Sequence, residues 1–219
     1  RLKALLLGRT VDRLLRICRR PLLVVKTPVE RAYRRVLVPV DFAAPSDAAV
    51  QVAARLARDG GMHVFHAINS HREAVLRDTD VPEHLIRESR LRQEAGTIAR
   101  MRRHAARLGM DSTRMSFSVA HGHPAWSILS HAHRCGADLI VAGKQGLSTL
   151  GEFLLGSVSR RVLAESVCDM LIVPRPGKEP VAHAASAQMW LAAPPAQANS
   201  AARAQSAAAL AGSLTPPAW

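Results

Sequence analysis

The sequence predicts an α/β fold in which a parallel β-sheet is covered by helices on both faces. Strand and helix patterns alternate along the chain, and this alternation is typical of parallel strands joined by crossover helices. The apolar runs Leu139–Ala142 and Met170–Val173 are short and uninterrupted, as expected for strands that are buried on both sides. Aromatic residues form only 4% of the 219 residues, so the core is expected to be aliphatic.

The first predicted strand is Arg35–Phe42. Pro39 lies close to its end, where the missing backbone donor is tolerated. The helix that follows has Ser46 as a candidate N-cap and is predicted to end at Gly60 and Gly61. The later elements are, in chain order, a strand at Met62–Ile68, a polar loop at Asn69–Glu83, a helix at His84–Leu108, a strand at Arg114–Ala120, a helix from Pro124 to Gly136, the strand Leu139–Ala142, a helix at Ser157–Ser166 and the strand Met170–Val173.

The longest predicted helix, His84–Leu108, has an apolar face and is rich in arginine elsewhere. Its apolar face consists of Leu91, Ala95, Ile98, Met101, Ala105 and Leu108. The arginines are open to two interpretations, a solvated face of a crossover helix or a contact with nucleic acid. The first is favoured because no aromatic residues are interleaved to stack on bases.

Residues 1–30 contain a second copy of the last helix and strand. When Gly8 is aligned on Gly156, an offset of 148 residues (156 − 8), no gap is needed. Identical pairs at this offset are Leu6 and Leu154, Leu7 and Leu155, Arg13 and Arg161, Leu15 and Leu163, Leu23 and Leu171, and Val25 and Val173. The sequence therefore predicts a C-terminal remnant of a preceding domain at 1–30, a complete domain at 31–175, and a disordered tail rich in Ala and Pro at 176–219.

The composition limits the compartment and the binding partners that can be expected for the protein. Lys and Arg number 30 against 17 Asp and Glu, and the formal net charge of +13 permits contact with nucleic acid or an anionic surface without establishing it. The three cysteines are odd in number and widely spaced, which favours a reducing compartment over a disulfide framework. No run approaches the roughly 20 apolar residues of a membrane helix, so we expect a cytoplasmic protein.

The stretch between the last two strands carries the strongest chemical signal. Gly143, Gly146 and Gly156 lie between a predicted strand and a predicted helix that starts at Ser157. Backbone N–H groups of such a loop and helix N-terminus can converge on phosphate, although the glycines could equally serve only to turn the chain. Spacing alone leaves both interpretations open.

Two charged residues adjoin this stretch in the predicted fold. Ligands of doubly wound sheets bind beyond the carboxyl ends of the strands, and Asp41 follows the first strand. Its carboxylate suits a ribose hydroxyl or a base amine, and the alternative is a turn or capping residue. Lys144 either reaches a terminal phosphate or is a solvated loop lysine.

Two pairs of histidines with a spacing of two could suggest a metal site. They are His121 with His123 and His131 with His133. Zinc needs three or four convergent ligands, so no metal site is predicted and surface histidines are the favoured interpretation. No Ser–His–Asp or Cys–His arrangement and no paired carboxylates are evident, so no catalytic residue is predicted.

The chain resembles the universal stress protein family over Tyr33–Pro174, in the blocks VLVPVDF, DLIVAGKQG, LLGSVSRRVL and MLIVP. In that family the ATP-binding pattern is Gly, two residues, Gly, nine residues, Gly, and Ser or Thr. The matching residues here are Gly143, Gly146, Gly156 and Ser157. The resemblance implies a doubly wound five-stranded parallel sheet of order 3-2-1-4-5, with ATP and an accompanying Mg²⁺ or Mn²⁺ at the switch point.

The resemblance also implies which residues hold the nucleotide. By position, Pro39, Val40 and Asp41 would flank the adenosine, Ala67 would touch the base, and Ala142 and Gly143 would line the ribose and phosphate side. The phosphates would contact Gly146, Gly156, Ser157, Val158 and Ser159. Gln145 stands where the family often has His.

The implied function is that of an ATP-binding regulatory protein of the stress response, acting through nucleotide-dependent assembly or partner contact, with at most slow ATP hydrolysis. A nucleotide-free interaction or scaffold module of the same fold is the alternative. An enzyme such as a phosphotransferase is disfavoured because Phe42–Ser46 supplies no catalytic His or acid. Family domains join through their final strands, so Leu22–Val25 is predicted to pair antiparallel with Met170–Val173, or each with the same strand of a second chain.

Overall fold

The computed structural model describes residues 9–26, 28, 32–57, 61–69, 81–145 and 155–175. All of them lie in the unit Arg1–Gly177, and Lys178–Trp219 is outside the described residues. The described α-helices and β-strands are α1 (Arg9–Ile17), β1 (Leu22–Val24), β2 (Arg35–Pro39), α2 (Ala44–Leu56), β3 (Gly61–Ile68), α3 (Glu83–Arg107), β4 (Met115–His121), α4 (Pro124–Cys135), β5 (Leu139–Gly143), α5 (Ser157–Glu165) and β6 (Asp169–Val173). None of these helices is long and apolar enough to cross a membrane.

All six described strands form one sheet in the order β1-β6-β5-β2-β3-β4. The strands β2 to β6 run parallel to one another, so the predicted five-stranded order 3-2-1-4-5 is confirmed. Strand β1 runs antiparallel to β6, with Leu23 opposite Leu171. The predicted pairing of these two strands is therefore present, and it lies within the chain itself.

Alternate residues of the strands face opposite sides of the sheet, and helices cover both sides. In β2, Val36 and Val38 belong to a core with α2 and α3, whereas Leu37 belongs to a second core with α1, α4 and α5. Strands β5 and β6 are buried along their whole length. Their uninterrupted apolar sequences follow from this position, because both faces of each strand contact helices.

Helix α2 differs from the prediction at both ends. Its N-cap is Ala43, and Ser46 lies inside the first turn, where its hydroxyl donates to the Ala43 carbonyl at 2.8 Å. The prediction of Ser46 as N-cap is therefore wrong, because Pro45, which is favoured in the first turn, places the start of the helix earlier. At the other end, Gly61 does not stop the helix but begins β3, and Gly60 is outside the described residues.

Helix α3 buries the predicted face in its C-terminal half, at Met101 and Ala105, and a different face in its N-terminal half. Leu91 is 61% exposed, and Ala95 is exposed as well. The fully buried residues of the helix are Ile86, Met101 and Ala105. The covered face passes through Glu94, whose carboxylate lies 3.3 Å from the imidazole of His121 on β4. Because this part of the covered face is polar, apolar periodicity predicted the wrong side of the helix there.

The N-terminal helix and strand match the C-terminal ones in their limits. Adding 148 to the bounds of α1 (9 + 148 and 17 + 148) gives 157 and 165, which are the bounds of α5. The bounds of β1 fall in the same way on 170 and 172, inside β6. The predicted repeat thus has the same secondary structure in both copies, and its origin as the remnant of a preceding domain stays a prediction.

Gly136 ends α4 in a left-handed conformation, with φ of 58°, and a Cβ there would lie 3.0 Å from the Arg35 guanidinium. We expect Gly136→Ala to lower the free energy of unfolding by about 1–2 kcal/mol, because this region is disfavoured for L-residues. Gly96→Ala is the matched control: a Cβ at this position in α3 meets no atom within 4 Å, so the change should stabilise the chain by about 0.5–1 kcal/mol. Urea unfolding measures both values, and a Gly136→Ala chain as stable as the wild type would contradict this assignment.

Candidate functional site

The carboxyl ends of β2 and β5 adjoin a cavity of about 390 Å³. From β2 the chain continues to β3 and β4 on one side of the sheet, whereas β5 and β6 lie on the other side. The cavity is therefore at the switch point, where ligands of doubly wound sheets bind. Its volume lies within the range of small-molecule sites, about 300–1,000 Å³.

Ten of the eleven residues that were predicted to hold a nucleotide line this cavity. They are Pro39, Val40, Asp41, Ala67, Ala142, Gly143, Gly156, Ser157, Val158 and Ser159. The eleventh, Gly146, is outside the described residues. The fold thus brings four separate segments of the chain together, and their contacts with a nucleotide stay a prediction.

The cavity also has lining residues that were not predicted to hold the nucleotide. Its apolar surface comes from Phe65, Ile128, Val162 and Met170, and its further polar side chains come from Ser46, His66, Asn69 and Gln145. Each of the apolar four occupies an apolar position of a predicted strand or helix. Only the tertiary fold shows that these positions meet at one place.

Asp41 serves in a turn and faces the cavity at the same time. Its Oδ1 accepts a hydrogen bond from the Ala43 N–H at 3.1 Å, which is the turn role considered from the sequence. It also lines the cavity. The turn role of Asp41 is therefore confirmed, and its contact with a ribose or base stays a prediction for a carboxylate that the turn bond fixes at the carboxyl end of β2.

Phe42, directly after Asp41, adopts a φ of 65°, which is rare for a residue other than glycine. The guanidinium of Arg100 lies 3.8 Å from the centre of its ring, and the His66 ring lies 5.0 Å away. His66 is itself held, since its Nδ1 donates to the Val40 carbonyl at 2.7 Å. These contacts retain the strained loop that carries Asp41.

The opposite wall of the cavity is formed by the end of β5 and the start of α5. Gly143 approaches α2 so closely that a Cβ would lie 2.9 Å from the Pro45 carbonyl carbon. The Gly156 N–H donates to the Lys144 carbonyl at 2.9 Å, and the Ser159 hydroxyl donates to the Gly143 carbonyl at 2.8 Å. These two bonds hold the first turn of α5 against the end of β5. Gly156 is the N-cap of α5, and no side-chain hydrogen bond caps the helix.

Lys144 points away from the cavity, and both predicted roles for it are wrong. The residue is only 5% exposed, and its Nζ donates to the Cys18 carbonyl at 3.3 Å. Burial lowers the pKa of this ammonium. A lysine is attracted to the carbonyl end of a helix, and α1, which ends next to Cys18, was not expected to lie here. In the described part of the chain, no Lys or Arg side chain lines the cavity.

A pair of histidines lies behind the cavity. His131 on α4 is only 9% exposed and stacks on Phe65 with 4.6 Å between the ring centres. Its Nε2 lies 2.8 Å from Nε2 of His63 on β3. The prediction of a surface histidine is therefore wrong for His131, because α4 turns this position towards the sheet.

Hydrogen bonds assign the protons of this pair. An Arg134 N–H donates to Nδ1 of His131 at 3.1 Å, so Nε2 of His131 carries the proton and donates to His63. Nδ1 of His63 then donates to the Ser116 hydroxyl at 2.6 Å. Burial, the neighbouring His63 and Arg134 lower the pKa of His131 to about 4, and burial lowers the pKa of His63 as well. Both rings are therefore neutral near pH 7.

The side chains of the other predicted pair, His121 and His123, do not face a common point. The side chain of His121 is 4% exposed and faces Glu94, whereas His123 is exposed. The surface interpretation is thus wrong for His121 as well. Across the ranges that the structure describes, no three His, Cys, Asp or Glu side chains gather as a metal site would require.

Comparisons with known proteins agree on one family. The family model described as "Universal stress protein family" matches residues 32–174. Universal stress protein YxiE of Bacillus subtilis (strain 168) is 34% identical over 152 residues, which cover 64% of this chain and 99% of that protein. Universal stress protein MJ0531 of Methanocaldococcus jannaschii is 27% identical over 152 residues, which cover 68% of this chain and 87% of that protein.

Solved structures share the fold. A universal stress protein from Archaeoglobus fulgidus DSM 4304 superposes with a TM-score of 0.56 at 21% identity, covering 81% of this chain and 57% of that one. Universal stress protein UspA from Lactobacillus plantarum gives a TM-score of 0.52 at 19% identity, covering 66% of this chain and 99% of that one. Since the family model spans well over half of the sequence, the chain belongs to the universal stress protein family.

Proposed function

We propose that this chain binds ATP in the cavity between β2 and β5 and acts in the stress response through nucleotide-dependent assembly or partner contact. One observation carries the proposal. The cavity has the carboxylate of Asp41 on one wall and the start of α5 on the other. A carboxylate suits ribose or base, and a helix N-terminus suits phosphate. The spacing of Gly143, Gly146, Gly156 and Ser157, which resembles the family's ATP-binding pattern, supports it.

The remaining surface of the cavity suits the other parts of a nucleotide. Phe65, Ile128 and Val162 offer apolar surface to a base and sugar. The N–H groups of the first turn of α5 have no intrahelical acceptors, and they can donate to phosphate oxygens. The small residues Gly143 and Gly156 let the backbone approach such a group closely.

The described lining residues also bear on the cation. Asp41 is the one carboxylate among them, and it lies on the wall opposite α5. An accompanying Mg²⁺ or Mn²⁺ would therefore be held mainly by phosphate oxygens and water, which is usual for Mg²⁺ in nucleotide sites. The cation would neutralise phosphate charge that no lysine or arginine of the described lining offsets.

Ser157→Glu tests the phosphate end of the site. Ser157 is the exposed first residue of α5. A carboxylate there is favourable for the helix, so the fold should persist. The added carboxylate repels a phosphate charge 4 Å away by about 1–4 kcal/mol. A difference of 1.4 kcal/mol is about tenfold in affinity. We therefore expect ATP affinity, measured by calorimetry or thermal shift, to fall about tenfold or more.

Gln93→Glu is the matched control, since it adds the same charge at an exposed position of α3 away from the cavity. It should leave ATP affinity unchanged. Equal affinity of wild type and Ser157→Glu would place the phosphates elsewhere. Chromatography of the denatured protein, which detects any adenine nucleotide that is released, is an independent measurement.

A nucleotide-free interaction module of the same fold is the second candidate. It is favoured by one observation, that Lys144 turns away and the described lining offers no Lys or Arg side chain to a phosphate. The two candidates give opposite results in one measurement. If no nucleotide is released on denaturation and ATP causes no thermal shift, the interaction module replaces the ATP-binding protein.

A further inference from the structure

We propose that a cleft at the amino ends of β3 and β4, lined by Met62, Met110 and Met115, binds one Cu(I) ion through the three thioether sulfurs. The cleft has a volume of about 150 Å³ and is bordered by the ends of α2 and α3. The nucleotide cavity adjoins the carboxyl ends of β2 and β5, which lie at the opposite edge of the parallel sheet. The inference therefore does not depend on ATP binding.

The sheet places two of these methionines side by side. Met62 is the second residue of β3 and Met115 is the first residue of β4, and the parallel register pairs them directly. Neighbouring strands lie about 4.7–4.9 Å apart, and paired residues point to the same face. Both side chains accordingly pack in the core on the side of α2 and α3.

The third methionine comes from the end of α3. Gly109 turns the chain there with a φ of 71°, and the Met110 N–H donates to the Ala105 carbonyl at 3.0 Å. This bond holds Met110 against the last turn of the helix, where it packs on the same core as the other two. Three of the six methionines of the sequence thus line one cleft.

The methionines do more than fill space in the core. Close-packed interiors contain few voids larger than a water molecule, whereas these three side chains border an open cleft. Met62 is 3% exposed, and Met110 and Met115 are half-buried, so an ion reaches the sulfurs from solvent without unfolding of the core. The unbranched methionine side chain has three rotatable bonds, which let the three sulfurs converge on one ion.

The side chains of the cleft select a soft cation. Thioether sulfur suits Cu(I), whereas Mg²⁺ and Ca²⁺ require oxygen ligands and Zn²⁺ takes thiolate, imidazole or carboxylate. Among the lining residues that the structure describes there is no Cys or His, and Asp111 is the one carboxylate. Its Oδ1 already accepts from the Thr113 N–H at 2.9 Å and from the Thr113 hydroxyl at 2.6 Å.

The two helices that border the cleft add a field that favours a cation. Both α2, with Ala57 as C-cap, and α3, with Leu108 as C-cap, end here. The carbonyl end of a helix carries partial negative charge. Arg114 is the cation among the described lining residues, and it is exposed and interacts with the charge of Asp111. The two side-chain charges thus offset each other at the exposed side of the cleft.

The test follows the methyl NMR signals of the full chain labelled with ¹³C-methyl methionine. The probes are Ag(I), which is a soft ion of the same charge, and Cu(I) kept reduced with ascorbate. The signals of Met62, Met110 and Met115 should shift together, whereas Met101 in the same core and Met170 in the other should not move. Mg²⁺ and Zn²⁺ should shift none of the three. If Ag(I) and Cu(I) leave the three signals in place, or shift Met101 and Met170 equally, the proposal is wrong.

The cysteines also take up these ions, so they need a control of their own. Cys18 and Cys135 are the half-buried ones. A chain with Cys18→Ser and Cys135→Ser should show the same methyl shifts after less metal has been added. Loss of the shifts in this chain would assign them to metal on the thiols and overturn the proposal.

Met110→Leu with Met115→Leu removes two of the three sulfurs. Exchanges of Met for Leu nearly conserve volume and are well tolerated, so the fold should persist. The shift of Met62 should disappear, and the affinity for Ag(I) should fall by about tenfold or more. Met101→Leu is the matched control, because it makes the same exchange in the same core outside the cleft, and it should bind like the wild type. A double variant that binds as tightly as the control would contradict the thioether site.

Discussion

Asp169→Ala is expected to lower the free energy of unfolding by about 3 kcal/mol, the largest effect that we expect from a single substitution. The carboxylate is buried and accepts from the Lys26 N–H at 2.8 Å and from the Tyr33 hydroxyl at 2.7 Å. Hydrogen bonds to charged groups contribute about 1.5–3 kcal/mol each, and their loss leaves buried donors without acceptors. Because Lys26 follows β1 and Tyr33 precedes β2, the change loosens both segments from β6.

Urea unfolding of a double-mutant cycle with Tyr33→Phe measures this effect. Burial and the hydrogen bond to Asp169 raise the pKa of the Tyr33 hydroxyl, which therefore remains a donor at neutral pH. The cycle should show strong coupling between the two positions. Asp111→Asn, in an exposed turn where the amide keeps the bond to the Thr113 N–H, is the control and should leave the unfolding midpoint unchanged. Simple additivity in the cycle would show that the two groups act independently.

Acid is expected to destabilise the protein through His131, by about 2 kcal/mol between pH 6.5 and pH 4. The ordinary pKa of 6.5 is lowered to about 4 in the folded chain. In this window the unfolded chain binds the proton and the folded chain does not, so stability falls as pH falls. One pKa unit corresponds to about 1.4 kcal/mol. We expect less than the full effect of the pKa shift, because the carbonyl end of α4 near this pair favours a charged imidazolium. Urea unfolding at several pH values measures the slope.

His131→Gln should flatten this pH dependence. An amide can still accept from Arg134 and donate to His63, but it does not titrate in this range. His133→Gln removes an exposed histidine two residues away on the same helix and should leave the slope unchanged. The same loss of stability in acid for wild type and His131→Gln would assign the effect to other groups.

The strands were predictable because their burial is uniform. Leu139–Ala142 and Met170–Val173 contact helices on both faces, so nearly every position is apolar and the run is visible in the sequence. The N-terminal half of the covered face of α3 was not predictable in the same way. Glu94 lies on it opposite His121, and a polar contact inside a covered face carries no apolar period. Ser46 failed as N-cap because Pro45, which is favoured in the first turn, places the start of the helix at Ala44.

The candidate site was predictable where backbone requirements impose residue types. Gly143 must lack a Cβ because that atom would lie 2.9 Å from Pro45, and such a requirement leaves a glycine in the sequence. Lys144 and His131 were not predictable, because their environments are made by distant segments. Lys144 contacts the Cys18 carbonyl, and His131 contacts His63. Neither contact leaves a local trace, since a lysine or histidine next to a loop or on a helix is by default solvated.

The short strand β1 decides which backbone groups this edge of the sheet presents. Strand β6 has a neighbour on each side, β5 and β1, and β1 covers three of its five residues. The outermost strand is therefore β1, which is only three residues long. A short edge strand offers few unpaired backbone groups to a strand of another molecule, so β1 should protect the chain from edge-to-edge aggregation.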